Sequence, residues 1–124
     1  MSEQITYLTD AVLITAVVQT GKADVMLKAA REVGAHGGIV HHARGTGARE
    51  RLGLLGIAVE TEKDVLSIVV AAEHQELVAH AIYNAGGLAA PGAGYLSIEP
   101  IEKLAVYIPK EARDRLDKTP GQAD

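Results

Sequence analysis

Residues 11–44 read AVLITAVVQTGKADVMLKAAREVGAHGGIVHHAR. The stretch opens on an uninterrupted β-branched run, AVLITAVV (11–18), of strand length. QTGKAD turns the chain, and VMLKAAREVG follows with Val25, Met26, Ala29, Ala30 and Val33 on one helical face. Gly34 suits the helix end, and GGIVHHAR (37–44) reads as a second strand. Strand, helix and strand in so short a stretch make a βαβ unit.

The unit is written twice. DVLSIVVAA (64–72) is a third strand, and HQELVAHAIYNAGG places Leu77, Val78, Ala81, Ile82 and Ala85 on one face, matching the first helix position for position. Gly86-Gly87 ends that helix, and GYLSIEPI (94–101) is a fourth strand. The predicted fold is therefore α+β, a ferredoxin-like βαββαβ sandwich with an antiparallel sheet and both helices on one face. A sheet with one wet face alternates apolar and polar residues. AVLITAVV and VLSIVV hardly alternate, so both faces are expected to be buried, one of them against further copies of the chain in a closed ring. The competing explanation is strand propensity alone. EKLAVYIP (102–109) reads either as a short strand or as a helical turn closed by Pro109. The folded domain is taken as residues 1–109, and KEARDRLDKTPGQAD (110–124) as a charged tail, partly disordered.

Composition narrows the function. The 124 residues are 48% hydrophobic but contain no Phe, Trp or Cys, so the core must be built from Val, Ile, Leu and Ala. Such a core buries little area per side chain, which favours self-association. A formal charge of −4 argues against nucleic-acid binding. MSEQITYLTD does not look like a signal peptide, and no apolar run reaches the roughly 18 residues of a membrane span. A cytoplasmic protein that does not itself insert into a membrane is expected.

The chemistry concentrates in HHARGTGARERLGLLGI (41–57), which carries Arg44, Arg49 and Arg51 among four glycines. It lacks the Lys-Ser/Thr of a P-loop and the third glycine of a dinucleotide fingerprint. No acid–base or nucleophilic constellation stands out, and no enzyme activity is expected. His41 and His42 are strand neighbours that point to opposite faces, and His74 and His80 lie on different sides of a helix. No metal site is expected within one subunit. Gly45-Thr46-Gly47 follows the second strand, and Gly92-Ala93-Gly94 precedes the fourth. Glycines let backbone N–H groups approach a phosphate closely, and Arg49 or Arg51 would add a charged fork. Plain turns account for the spacing equally well. Leu52, Leu54, Leu55 and Ile57 then form a tip too apolar for a purely solvated loop, the mark of a partner surface or of packing against a neighbouring subunit.

The segments GAHGGIVHHARGTGARERLGLLGI, EKDVLSIVVAAEHQELVAHAIYNAGG and PGAGYLSIEPIEKLAVY together resemble the PII signal-transduction superfamily, from about Val12 to Tyr107. The resemblance implies a homotrimer with adenine nucleotide bound in the clefts between subunits. It also implies a loop after the second strand, the T-loop, that engages a partner. By position, Gly37, Gly45, Thr46, Gly47, Arg49, Lys63, Gly92 and Gly94 would be the nucleotide-binding residues. Arg51, Leu54, Leu55 and Ile57 would be the T-loop contacts with the partner. The chain departs from typical nitrogen-regulating members at several positions. Arg49 stands where they have the glutamine that helps hold magnesium and 2-oxoglutarate, Tyr95 replaces a phosphate-binding lysine, Val106 and Ile108 replace two arginines, and the T-loop is shorter and lacks a tyrosine. Arg49, Arg51, Lys103, Lys110 and Arg113 are candidate replacements for the missing cations. The chain is in this respect similar to PII-like proteins linked to inorganic-carbon uptake and carboxysomes. That similarity implies ADP or AMP as effector rather than tightly held ATP, bicarbonate as a second effector, and a bicarbonate transporter or an enzyme as partner. The alternatives are a nitrogen-regulatory PII protein acting on an ammonium transporter or nitrogen enzyme, and a divalent-metal-binding trimer like the cation-tolerance proteins of the same fold.

Overall fold

The computed structural model describes residues 4–45 and 61–112. Within them the chain runs β1 (Tyr7–Leu8), β2 (Ala11–Gln19), α1 (Ala23–Glu32), β3 (Ile39–Gly45), β4 (Thr61–Ala71), α2 (Gln75–Ala85), β5 (Gly94–Ile101) and β6 (Leu104–Ala105), with a 3₁₀ turn at Ala72–His74 leading into α2. The main sheet has the order β3-β4-β2-β5, and every neighbouring pair is antiparallel. This is the ferredoxin-like βαββαβ arrangement expected from the repeated unit. A ribbon of β1 and β6 stands apart from it, pairing Tyr7 with Ala105 and Leu8 with Leu104. EKLAVYIP thus supplies a short strand, and its partner β1 has no counterpart among the expected elements.

Alternation along the strands decides which face is covered. Val12, Ile14, Ala16 and Val18 of β2 and Leu66, Ile68 and Val70 of β4 are buried beneath the helices. Burying an aliphatic side chain of this size contributes about 1.5–3 kcal/mol. From the helices come Ala23, Met26 and Ala30 of α1 and Val78, Ala79 and Ile82 of α2. Val25 and Leu77, expected on the buried stripe, are instead 48% and 53% exposed. Each sits about 100° around the helix from Met26 and Val78 respectively, which places it at the solvent edge.

Both helices end in the same way. Gly34 and Gly87 take positive φ (105° and 63°), and Ala35 N–H donates to Ala30 O as Leu88 N–H does to Tyr83 O. With Gly34 N–H to Arg31 O and Gly87 N–H to Asn84 O, these are two Schellman motifs. Helix α2 runs one residue longer than α1, so Gly86 is freed for packing. A Cβ there would lie 2.7 Å from Met26 Sδ, so the bare Gly86 backbone is what admits the Met26 side chain.

Candidate functional site

Strand register gathers several of the expected binding residues at one end of the sheet. Gly45 pairs with Thr61, Lys63 pairs with Ala43 and with Gln19, and Gly94 pairs with Val18. Gln19 Nε2 donates to Gly92 O at 3.2 Å, tying the turn before β5 to the end of β2. Gly45 and Lys63 stand where segment 46–60 leaves and rejoins the sheet, while Gly92 and Gly94 lie at the same end of the sheet on its opposite edge, with β4 and β2 between. Gly37 does not join them: it precedes Ile39, the opposite end of β3 from Gly45, some 20 Å away at strand rise. Thr46, Gly47, Arg49, Arg51, Leu54, Leu55 and Ile57 lie outside the described residues.

The glycines at this end are glycine for different reasons. Gly94 has φ of 131°, and a Cβ would fall 2.2 Å from the carbonyl oxygen of Val17, so β5 could not otherwise lie this close to β2. Gly92 has φ of 73° with open space around it, so its backbone conformation alone favours glycine. Gly45 has neither a positive φ nor a neighbour within 4 Å. Nothing in the described subunit requires its bareness.

Beneath the loop base lies a buried carboxylate that the sequence reading passed over. Asp64, on the covered face of β4, is 3% exposed. Its Oδ2 accepts from Gly21 N–H at 2.9 Å, and its Oδ1 accepts from His42 Nδ1–H at 2.7 Å. Ala23 N–H also bonds to it. Helix α1 has no capping side chain of its own at Lys22; Asp64 caps it from the neighbouring strand, at the positive end of its dipole. Burial pushes the carboxyl up, but hydrogen bonds from Gly21, His42 and Ala23, with the imidazole charge, outweigh it and hold Asp64 below its ordinary value. The signal was present in sequence: Asp64 is in phase with Leu66, Ile68 and Val70, the covered positions of β4. Two residues nearer the loop, Arg44 and Glu62 oppose each other across the same strands at 3.8 Å, both exposed. The stem of segment 46–60 thus sets His42 and Arg44 of β3 against Asp64 and Glu62 of β4.

His41 points the other way, onto the uncovered sheet face beside its register partner Val65. His80 lies 3.5 Å from Glu76 on the surface of α2. No three His, Asp or Glu side chains among the described residues are placed to share a metal. The positions where typical PII proteins carry phosphate-binding cations diverge in environment: Tyr95 and Val106 are 58% and 56% exposed, whereas Ile108 is buried. Tyr95 and Val106 face solvent in the single subunit, and Ile108 is shielded from it. A cavity of about 450 Å³ lined by Val33, Val70, Leu77, His36 and His74 lies at the other end of the sheet from Gly45, Lys63 and Gly94.

No family model and no curated protein sequence matches this chain significantly. The fold is nonetheless that of PII. The crystal structure of Arabidopsis thaliana PII bound to citrate superposes with a TM-score of 0.60 at 20% sequence identity, covering 77% of this chain and 78% of that one. At this identity the likeness establishes a PII-like fold. No helix among the described residues is long and apolar enough to cross a membrane.

Proposed function

We propose that the protein is a PII-like signal-transduction protein without enzymatic activity. It is a homotrimer that binds adenine nucleotide, ADP or AMP in preference to ATP, in the clefts between subunits, with bicarbonate as second effector. Ligand state sets the conformation of loop 46–60, whose LGLLGI tip engages a membrane transporter for inorganic carbon, or an enzyme. The observation that supports this reading is that Gly45, Lys63, Gly92 and Gly94 share one end of the sheet, the end from which that loop departs, in a PII-like fold. Gly45 supports it further, since a Cβ there would meet nothing among the described residues. The Arabidopsis PII structure is bound to citrate, and an anionic metabolite is the class of ligand proposed here.

The preference for less charged nucleotides follows from the missing cations. Each charged hydrogen bond to phosphate contributes about 1.5–3 kcal/mol, and Tyr95, Val106 and Ile108 make none of that kind. Isothermal titration calorimetry with AMP, ADP, ATP and cyclic AMP, with and without bicarbonate, tests the proposal. ADP or AMP is expected to bind more tightly than ATP. Absence of binding by all four at millimolar concentration excludes the reading.

A further inference from the structure

The cavity of about 450 Å³ at the end of the sheet remote from segment 46–60 has the size of a small-molecule site, about 300–1,000 Å³. Its lining is divided by depth. Ala11, Ala35, Val70 and Val78 are buried and form an apolar floor. Asp10, His36 and His74 also line it but are exposed, so they stand at its mouth. None of these three side chains is hydrogen-bonded or ion-paired among the described residues. The backbone fixes Asp10 in place, because its carbonyl oxygen accepts from Ala72 N–H at 2.7 Å.

The repeat within the chain shows what this place in the fold accepts. Helix α1 follows β2, and Asp64, at the register position opposite Val18, supplies a carboxylate beside its start. Helix α2 follows β4, and the equivalent position, opposite Ala71, is Ala11. The second half thus has a methyl group where the first has a carboxylate, and the cavity lies beside that methyl group.

The polarity of the lining selects the occupant. A wholly apolar ligand would leave the groups at the mouth without partners. A simple carboxylate would meet the negative charge of Asp10, and a simple amine would offer the imidazole N–H groups no acceptor. A molecule with an ammonium group, a carboxylate and a short aliphatic chain matches all three features.

We propose that this cavity is a binding site for an aliphatic α-amino acid of valine to leucine size. The ammonium group pairs with Asp10, and the carboxylate accepts from His36 and His74 beside Ala11. The side chain enters first and rests on Val70 and Val78. The site is separate from the nucleotide cleft and does not depend on that reading.

Isothermal titration calorimetry with L-leucine, L-valine, isocaproate (leucine without its amine) and isopentylamine (leucine without its carboxylate) tests this on wild type, Ala11→Asp and Asp10→Asn, with amide NMR spectra to locate the ligand. Leucine or valine is expected to bind the wild type at least about tenfold more tightly than either analogue, shifting amides of residues 34–36 and 69–78. Ala11→Asp places a carboxylate in the cavity and is expected to weaken leucine binding at least about tenfold. Asp10→Asn, folded by circular dichroism, is expected to lose the preference for leucine over isocaproate. Absence of binding by all four compounds at millimolar concentration overturns the proposal. So do equal affinities for leucine and both analogues, shifts confined to the other end of the sheet, or an unchanged preference in Asp10→Asn. Binding of ADP by a protein that ignores leucine overturns this site and leaves the regulatory reading standing.

Discussion

Asp64 shows how much a single side chain can do here. It satisfies backbone donors at the start of α1 and holds His42 of the neighbouring strand, so helix and loop stem share one anchor. Asp64→Ala leaves the Gly21 and Ala23 N–H groups without their acceptor and should cost about 2 kcal/mol at neutral pH, measured by urea denaturation. The pH dependence has a definite sign. The folded carboxyl lies below its ordinary value, so its contribution is complete above the unfolded pKa of about 3.9 and fades as pH falls through the folded one. Wild type and Asp64→Ala should therefore converge in stability in acid; a constant gap from neutral pH into that range would count against the ionised cap. The glycines make a second comparison. Gly94→Ala forces a Cβ into the Val17 carbonyl and should destabilise by about 2–4 kcal/mol. Gly45→Ala meets nothing among the described residues and should change folding by less than about 0.5 kcal/mol, yet weaken nucleotide binding. Equal nucleotide affinity in Gly45→Ala would remove Gly45 from the site. Arg49→Ala likewise should lower nucleotide affinity more than stability.

At the level of elements, the two halves differ by one helical residue, and that difference explains the Gly86-Gly87 pair: one glycine turns the chain and the other admits Met26. The exposed edge of each helix gives a prediction. Val25→Ser and Leu77→Ser should each change stability by under about 0.5 kcal/mol in a single subunit. Met26→Ala should cost about 2–5 kcal/mol, since Met26 is fully buried. Comparable losses at all three positions, by thermal or urea unfolding, would mean that the helices bury a wider face. These elements also mark what was legible in sequence. AVLITAVV and GYLSIEPI announced β2 and β5 because long runs of β-branched and alternating residues carry their own signal. β1 could not be read and β6 only as one of two alternatives, because two-residue strands have no period and exist only through each other. Val25 and Leu77 were misplaced because apolarity marks a broad arc of a helix, while the neighbouring layer decides which part of it is covered. For the site, the glycine segments were visible by spacing. The separation of Gly37 from Gly45 and the capping role of Asp64 were not, because both follow from strand register across the sheet.

For the whole molecule, the main fact is an asymmetric sheet. One face is sealed by two helices, whereas the other offers Leu13, Val17, Val65, Val69 and Tyr95 to whatever lies opposite. A chain without Phe or Trp has few large side chains for its own core, and an unfilled apolar face would weaken it further. Association through that face would bring the loop base of one subunit beside that of the next, which is where the proposed anion cleft must form. Sedimentation equilibrium of the wild-type protein at micromolar concentration tests this most directly. The account predicts a mass close to three times 13.0 kDa; a stable species of 13.0 kDa across the concentration range would contradict it.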